Sequence, residues 1–517
     1  MADYDVIVVG AGNAALAAAV SARENGAAKV LVLEKAPKKM RGGNTHWSGG
    51  VFRFVFDRPR ELESLLPGIE ATHPRFYDGV TPYTYDDFMA DILRLTGGRT
   101  DPALAKILIG NSGDTVRWVH RTGRVPMEAA VSLAGVKKDG VIRFQRGMVV
   151  RAEHEGVGLS TSWFKTAGEE GIEVRYASAA VELLQDRKGR VAGVRARGPD
   201  GIEDMSANAV VLGAGGFEAN AQWRAQYLGA PWDGAKVRGT PHNQGDGLRM
   251  ALAIGAMPWG QWSGCHSTPI SADWGHFAPR ELTDKSNRLS YVYGVMINRL
   301  GRRFVDEGFD VQLMTYAKYG RLILGQPGGT AYQIFDRKTA HLLEPRYSTS
   351  KPLVADTLKD LVCRFDIDDK EQALMTLEAY NAAAGDAAGF DPSRKDGLST
   401  KGLDIDKTNW AVRLDEPPFH AYTVTGGITF TFGGLKIDDR AQVIGTDWRP
   451  ISGLYTCGEM VGGLFHDNYA AGSGLMSGAV FGRIAGRSAA EDARGKIRGK
   501  TKRKAKQKTR RKTRGRK

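Results

Sequence analysis

Near the start of the chain, Gly10-Ala11-Gly12-Asn13-Ala14-Ala15 combines glycine spacing with small side chains in a way that suits phosphate chemistry. A tight turn at Gly10 and a side-chain-free Gly12 let a pyrophosphate approach the backbone. A helix beginning there aims unpaired N–H groups and its positive end at the same anion. Glu34, 22 residues after Gly12, stands where a carboxylate accepts hydrogen bonds from adenosine ribose hydroxyls. Ala15 takes the place of a third glycine and is still small enough for helix and strand to pack closely. More glycine turns follow at Gly42-Gly43-Asn44-Thr45, Ser48-Gly49-Gly50, Ala214-Gly215-Gly216, Gly458-Glu459 and Gly472-Ser473-Gly474-Leu475. Backbone therefore approaches something extended at several points, which fits FAD better than NAD.

The elements that must position these residues are readable around them. Residues 4–9 form a short apolar run, residues 16–26 an Ala-rich helical stretch stopping at Gly26, and residues 29–33 a second apolar run ending in Glu34. This order of strand, glycine turn, helix, strand and acid is a βαβ unit. The next strand with a glycine turn is at 209–216. Between them lie helical stretches at 101–121 and 159–171 and a hairpin at 181–196 around Lys188-Gly189. The expected fold class is α/β: a Rossmann-like FAD-binding domain, residues 1–261 and 421–493, interrupted by an α+β capping domain at 262–420.

Composition narrows the classes. The chain has 517 residues, 42% hydrophobic and 25% charged, as in a globular protein. Its three cysteines, Cys265, Cys363 and Cys457, are too few and too scattered for a disulfide framework, an iron–sulfur cluster or a four-ligand zinc site, so no metal is expected. No apolar run is long enough to span a membrane. The N-terminus lacks the basic and apolar regions of a secretory signal, and a cytoplasmic location is expected. The net charge of +14 suggests a polyanion partner, but fifteen Lys and Arg with no acid occupy residues 494–517, so residues 1–493 carry a net −1. That segment reads as a disordered basic tail able to contact an anionic membrane surface or nucleic acid, placing the protein peripherally at the inner face of the membrane.

The ordered set G-A-G-N-A-A (10–15), E-K (34–35), R-G-G-N-T (41–45), S-G-G (48–50), A-G-G-F (214–217), G-D-G (245–247), N-R-L-G-R-R-F-V-D-E (298–307) and G-L-Y-T-C-G-E (453–459) resembles the fumarate reductase and succinate dehydrogenase flavoprotein superfamily. Within it, D-E-G-F-D (306–310), T-Y-A-K-Y-G-R (315–321) and N-Y-A-A-G-S-G-L (468–475) look most like the FAD-dependent tricarballylate dehydrogenase branch. The resemblance implies that Gly10, Gly12, Asn13, Ala14 and Ala15 hold the FAD pyrophosphate, and Glu34 and Lys35 the adenosine side. Gly42, Gly43, Asn44, Thr45, Ser48, Gly49 and Gly50 would lie along the stretch beside the flavin. Val181 would contact adenine through its backbone, and Ala214, Gly215 and Gly216 would form a second glycine approach. Asp246 would lie near the isoalloxazine and Glu459 would bind the ribityl chain. Gly474, Leu475 and Met476 would open a helix facing the pyrimidine edge of the flavin, whose positive end favours an anionic reduced flavin.

By the same resemblance, His266 matches a substrate-carboxylate histidine. Val311 stands where soluble fumarate reductases keep a proton-shuttling arginine, Phe430 replaces a histidine, and Tyr469 replaces a carboxylate-clamping arginine. These departures argue against fumarate reduction by the usual route. Tyr469 resembles instead the tyrosine of ketosteroid dehydrogenases, which polarises a carbonyl. Asp310 and Tyr316 are the candidate bases. His46 is spaced too close to Gly49 for the covalent-flavin pattern, so FAD is expected to be noncovalent.

The reading is an FAD-dependent dehydrogenase of a CH–CH bond in a small carboxylate, with tricarballylate oxidised to aconitate as the specific expectation and a ketosteroid dehydrogenase-like or fumarate reductase-like enzyme as the alternative. A reading from a different class takes the basic tail as the working part, on a flavin fold used as scaffold for nucleic-acid or membrane-surface binding. Electrons must leave to a separate acceptor, a quinone or a membrane-associated iron–sulfur protein.

Overall fold

The computed structural model describes the backbone of residues 2–514 and the side chains of residues 2–495. Its larger sheet is built on the expected βαβ unit. Tyr4–Val9 pairs in parallel with Val30–Leu33 on one side and with Gly201–Leu212 on the other, and Asn13–Glu24 is the crossover helix. Pro450–Thr456 pairs in parallel with Gly201–Leu212, so the chain returns to its first sheet after the long excursion. The hairpin Ala179–Gln185 and Val191–Gly198 is antiparallel and extends the Gly201–Leu212 strand, as the alternating pattern around Lys188-Gly189 predicts. The central strands are buried on both faces, and accordingly read as continuous Val, Ile and Leu runs rather than alternating ones.

Register is what makes this sheet a binding rim. Val9 is level with Leu33 and with Leu212, and Leu212 is level with Thr456. Four parallel strands thus end together and deliver Gly10, Glu34, Gly213 and Cys457 to one edge, the place where open α/β sheets hold ligands. Gly10 has φ +100°, and a Cβ there would lie 2.4 Å from the Gly213 carbonyl oxygen, so the close approach of these two turns needs glycine.

The final helix, Ser473–Arg514, packs along Asn13–Glu24. Gly482 and Gly486 face Ala14, Ala17 and Ala18 at separations that leave no room for a Cβ. Its backbone is helical where a disordered extension was expected from residue 494, Lys and Arg being good helix formers. The tail's side chains beyond Gly495 lie outside the described ones.

A second, six-stranded sheet carries Cys265–Ser271, Val295–Asn298, Thr330–Phe335 and Leu353–Ala355 around the long strand Phe419–Thr431, with helix Gln312–Leu324 against it. It also takes in Lys236–Val237, which pairs with Gly427 and Ile428. The boundaries expected at 261/262 and 420/421 therefore cut through this sheet. A two-residue strand has no periodicity to announce it, and Phe419–Thr431 runs straight across the junction. Among the described residues, no helix is long and apolar enough to cross a membrane.

Candidate functional site

Along the common strand edge runs an elongated cleft. One end holds Glu34, Lys35, Ser178 and Ala180; the middle is walled by Gly10, Gly12, Ala14, Gly43, Asn44 and Thr45; Ala214, Gly215, Gly458, Glu459, Gly474 and Leu475 complete it. Glu34 is buried and accepts from the Ala36 N–H at 2.7 Å. Burial raises its carboxyl above the usual range. Both helices that open onto the middle start without an acidic residue in the first turn, and Gly12 gives the first of them no side-chain cap. Their positive ends are therefore left for an anion. A carboxylate at one end, two helix starts free of acids in the middle and an aromatic chamber beyond match the order adenosine, pyrophosphate, flavin along FAD, and the residues present fit that cofactor.

Asn13 ties this frame together. Its backbone N–H donates to Thr45 Oγ1 at 2.9 Å, its Nδ2 to the Leu475 carbonyl at 2.9 Å, and its Oδ1 accepts from the indole of Trp163 at 2.9 Å. The Ser48 and Gly49 turn also reaches the cleft.

Several expected contacts fall elsewhere. Asp246, expected near the isoalloxazine, forms an ion pair with Lys35 at 2.6 Å and so sits at the Glu34 end. Ser178 and Ala180 line the cleft, and Val181, whose backbone was expected to meet adenine, does not. Ala15 packs against Gly213, Gly42 holds φ +105° ahead of the turn Gly43–Trp47, and Gly50 closes on the Glu155 backbone. Gly216 lies behind Glu459 rather than in the cleft. Met476 is fully buried in the apolar core beneath the final helix.

Beyond Glu459 and Leu475 lies the chamber formed with the second sheet. His266 is 1% exposed, with its ring centroid 4.8 Å from Tyr316, 4.9 Å from Tyr469 and 5.0 Å from Phe430. Its Nδ1 has no protein partner. Burial, and then the nearby Arg238 guanidinium, push its pKa well below the ordinary histidine value, so the imidazole is neutral. The hydroxyls of Tyr316 and Tyr469 lie 2.5 Å apart and share a hydrogen bond. Burial raises both phenols; for Tyr316 the neighbouring Tyr469 adds to this, and for Tyr469 the contacts with Tyr316 and Arg238 oppose it.

Asp310 is not part of this chamber. Its carboxylate pairs with Arg94 at 2.6 Å and accepts its neighbour Val311's N–H at 2.8 Å, so it anchors the start of helix Gln312–Leu324. Asp310 does not line the cleft, whereas Tyr316, six residues further on, does. Arg303 and Glu307 do pair at 2.6 Å, and Glu307 accepts the Met296 N–H at 2.7 Å, bracing the second sheet away from the cleft.

Sequence reasoning missed the chamber's charges. Arg238 is 5% exposed, donates to the Trp47 carbonyl at 2.7 Å and pairs with Asp284, and its Nε has no protein partner. Arg346 pairs with the other oxygen of Asp284. Burial opposes the charge on Asp284, but Arg346 and Arg238 outweigh it and hold the carboxyl below its usual range. Asn287 Nδ2 donates to Asp284 at 3.1 Å, and its own Oδ1 is unpartnered. These residues come from separate loops, and no spacing links them. Glu218, two residues after Gly216 and behind the cleft rather than in the chamber, was missed as well.

A model of the FAD_binding_2 family, described as an FAD binding domain, matches residues 5–475. The chain is 29% identical over 478 residues to a fumarate reductase (cytochrome) of Shewanella frigidimarina, covering 91% of this chain and 74% of that one. It is 28% identical over 541 residues to a 4-oxocyclohexanecarboxylate 2-dehydrogenase of Sinomonas cyclohexanicum, covering 91% and 89%. Among solved structures, the open conformation of a flavocytochrome c3 fumarate reductase superposes with a TM-score of 0.70 at 26% identity, covering 95% of this chain and 78% of that one. The chain belongs to the FAD_binding_2 family, within the fumarate reductase and succinate dehydrogenase flavoprotein superfamily, and is an FAD-dependent oxidoreductase acting on CH–CH groups.

Proposed function

We propose that the protein oxidises a CH–CH bond next to a carbonyl group of a small substrate, with the carbonyl oxygen held by the Tyr316 and Tyr469 hydroxyls. The observation that carries this reading is their 2.5 Å contact in the chamber. Two phenols have two protons; one is spent between them and the other is free to be donated outward. Burial keeps both protonated, so the pair is a donor for an oxygen that gains charge as the adjacent C–H weakens. The neutral His266, in ring contact with both tyrosines and with Nδ1 unpartnered, accepts the proton that leaves carbon. FAD held noncovalently supplies the acceptor for the hydride, and His46, which does not line the cleft, makes no bond to it.

Arg346 is held between Asp284 and, at 3.0 Å, Glu344, whereas Arg238 shares Asp284 and keeps an unpartnered Nε, so one guanidinium is left for a single carboxylate on the substrate. Tricarballylate, the substrate expected from the sequence, brings three. A keto acid such as the 4-oxocyclohexanecarboxylate named for one relative matches better. A separate electron acceptor, a quinone or a cytochrome or iron–sulfur protein, reoxidises the enzyme, and the basic tail docks it at an anionic surface.

The test is anaerobic flavin reduction of the holoenzyme by 4-oxocyclohexanecarboxylate, a 3-ketosteroid and tricarballylate. One of the two ketones is expected to bleach the oxidised flavin band. Bleaching by tricarballylate alone would overturn the carbonyl reading.

A further inference from the structure

Two carboxyl groups meet behind the middle of the cleft with no cation between them. Glu218 is fully buried and comes from the turn after Gly213–Gly216; Glu459 lines the cleft and comes from the turn after Pro450–Thr456. Glu459 Oε1 accepts from the Thr431 N–H at 2.7 Å and from Thr431 Oγ1 at 3.1 Å. Glu218 Oε1 accepts from Asn44 Nδ2 at 2.7 Å and Asn243 Nδ2 at 2.5 Å. Glu218 Oε2 is buried without any donor. The Glu459 carboxyl stands over Gly216, two residues before Glu218, where a Cβ would lie 2.1 Å from Glu459 Oε1, so the acidic neighbour of this donorless oxygen is Glu459. Two carboxylates have no proton to share, so such a contact exists only when one of them is the acid.

No cation forms an ion pair with either carboxyl among the described residues. Arg224 is buried nearby, but its guanidinium is spent on the carbonyls of Glu218, Trp232, Asp233 and Ala235. Cys265, also close, is a buried thiol whose pKa burial raises, so it stays neutral.

We propose that Glu218 is a carboxylic acid at working pH, donating its Oε2 proton to Glu459, and that this proton positions the cofactor-binding groups on either side of it. On one side it fixes the Glu459 carboxylate against Thr431 and leaves the pair with one negative charge instead of two, beside a cofactor that is itself anionic. On the other it leaves Glu218 Oε1 to anchor Asn44. Asn44 Nδ2 also donates to the Thr429 carbonyl at 2.6 Å, and its Oδ1 accepts the Thr240 N–H at 2.8 Å, so one amide ties the Gly43–Trp47 turn to two segments of the second sheet and its approach. Burial, followed by the repulsion of Glu459, raises the Glu218 pKa well above the ordinary value, in keeping with the geometry. Glu218 is a positioning residue: it acts through Asn44 and Glu459 and does not itself line the cleft.

Glu218→Gln keeps an oxygen for the two amides and supplies an N–H for Glu459, whereas Glu218→Ala removes both. Infrared spectra of apoprotein and holoenzyme, and titration of apoprotein with FAD, read the difference without turnover. A protonated-carboxyl band shifting in D₂O is expected in wild type across pH 6 to 8 and is expected to be absent from E218Q, leaving a negative band in the E218Q minus wild-type difference spectrum. E218Q is expected to bind FAD within about two-fold of wild type, and E218A about ten-fold or more weaker. If E218A does not fold, the E218Q band and affinity decide alone. No such band in wild type, a band that survives in E218Q, or an E218Q affinity as weak as that of E218A would each overturn the proposal.

Discussion

Tyr316 and Tyr469 are 153 positions apart, one on a helix of the second sheet and one on the approach to the final helix, yet their hydroxyls touch. Neither is useful alone as an outward donor fixed in direction; each orients the other. Tyr469→Phe is therefore expected to lower kcat by about 10²-fold or more with little change in FAD content, and Tyr316→Phe to lower it as well by letting Tyr469 rotate. Steady-state kinetics with the ketone that bleaches the flavin checks both. The pH profile tests the protonation states. Burial disfavours imidazolium, so His266 takes up a proton only well below pH 6.5; burial disfavours phenolate, so the tyrosines lose theirs only above pH 10. The log kcat/KM profile should lack an acid limb at the ordinary histidine pKa, and a limb near 6.5 would remove His266 as the base. At this scale the motif turns were legible because glycine, asparagine and glutamate serve the backbone next to them in sequence. Arg238, Asp284 and Arg346 were not, since their pairing depends on three loops meeting.

The two helices behind the cleft set its width. Gly486 stands against the Ala18 carbonyl at a distance where a Cβ would lie 2.1 Å away, and Gly482 against the Ala14 carbonyl at 2.4 Å. Contact this close places the starts of both helices, Asn13 and Ser473, at one point of the cleft, where Asn13 bonds the Leu475 carbonyl. Gly486→Leu forces the helices apart, and overpacking of this kind costs about 1–3 kcal/mol. The expected result is a lower melting temperature together with loss of bound flavin on gel filtration, while a distant surface substitution such as Lys359→Ala changes neither. The first βαβ unit was legible because its strands are buried on both faces and its turn needs glycine. The strand Lys236–Val237 was invisible because two residues carry no period, and it exists only by pairing with Phe419–Thr431.

For the whole molecule, net charge is a statement about docking. Residues 1–493 carry a net −1, and the fifteen cations of residues 494–517 lie past the last glycine contact with the first helix. Removing residues 496–517 is expected to leave flavin content and turnover unchanged and to abolish salt-sensitive sedimentation with phosphatidylserine vesicles. Turnover lost with the tail would mean that the tail belongs to the enzyme proper.

The sequence by itself determined the FAD-binding frame: strand, glycine turn, helix, strand, acid is a local pattern, and each residue in it answers to a backbone need of its immediate neighbours. It also placed His266, Tyr316 and Tyr469 among the candidates. Only the tertiary structure decided what they do. It set Asp310 aside on Arg94, paired Asp246 with Lys35 at the Glu34 end, joined the two phenols, and brought Glu459 over the turn that carries Glu218. These outcomes depend on burial and on distances between segments hundreds of residues apart. Burial and distance set protonation, and protonation separates a donor from a base.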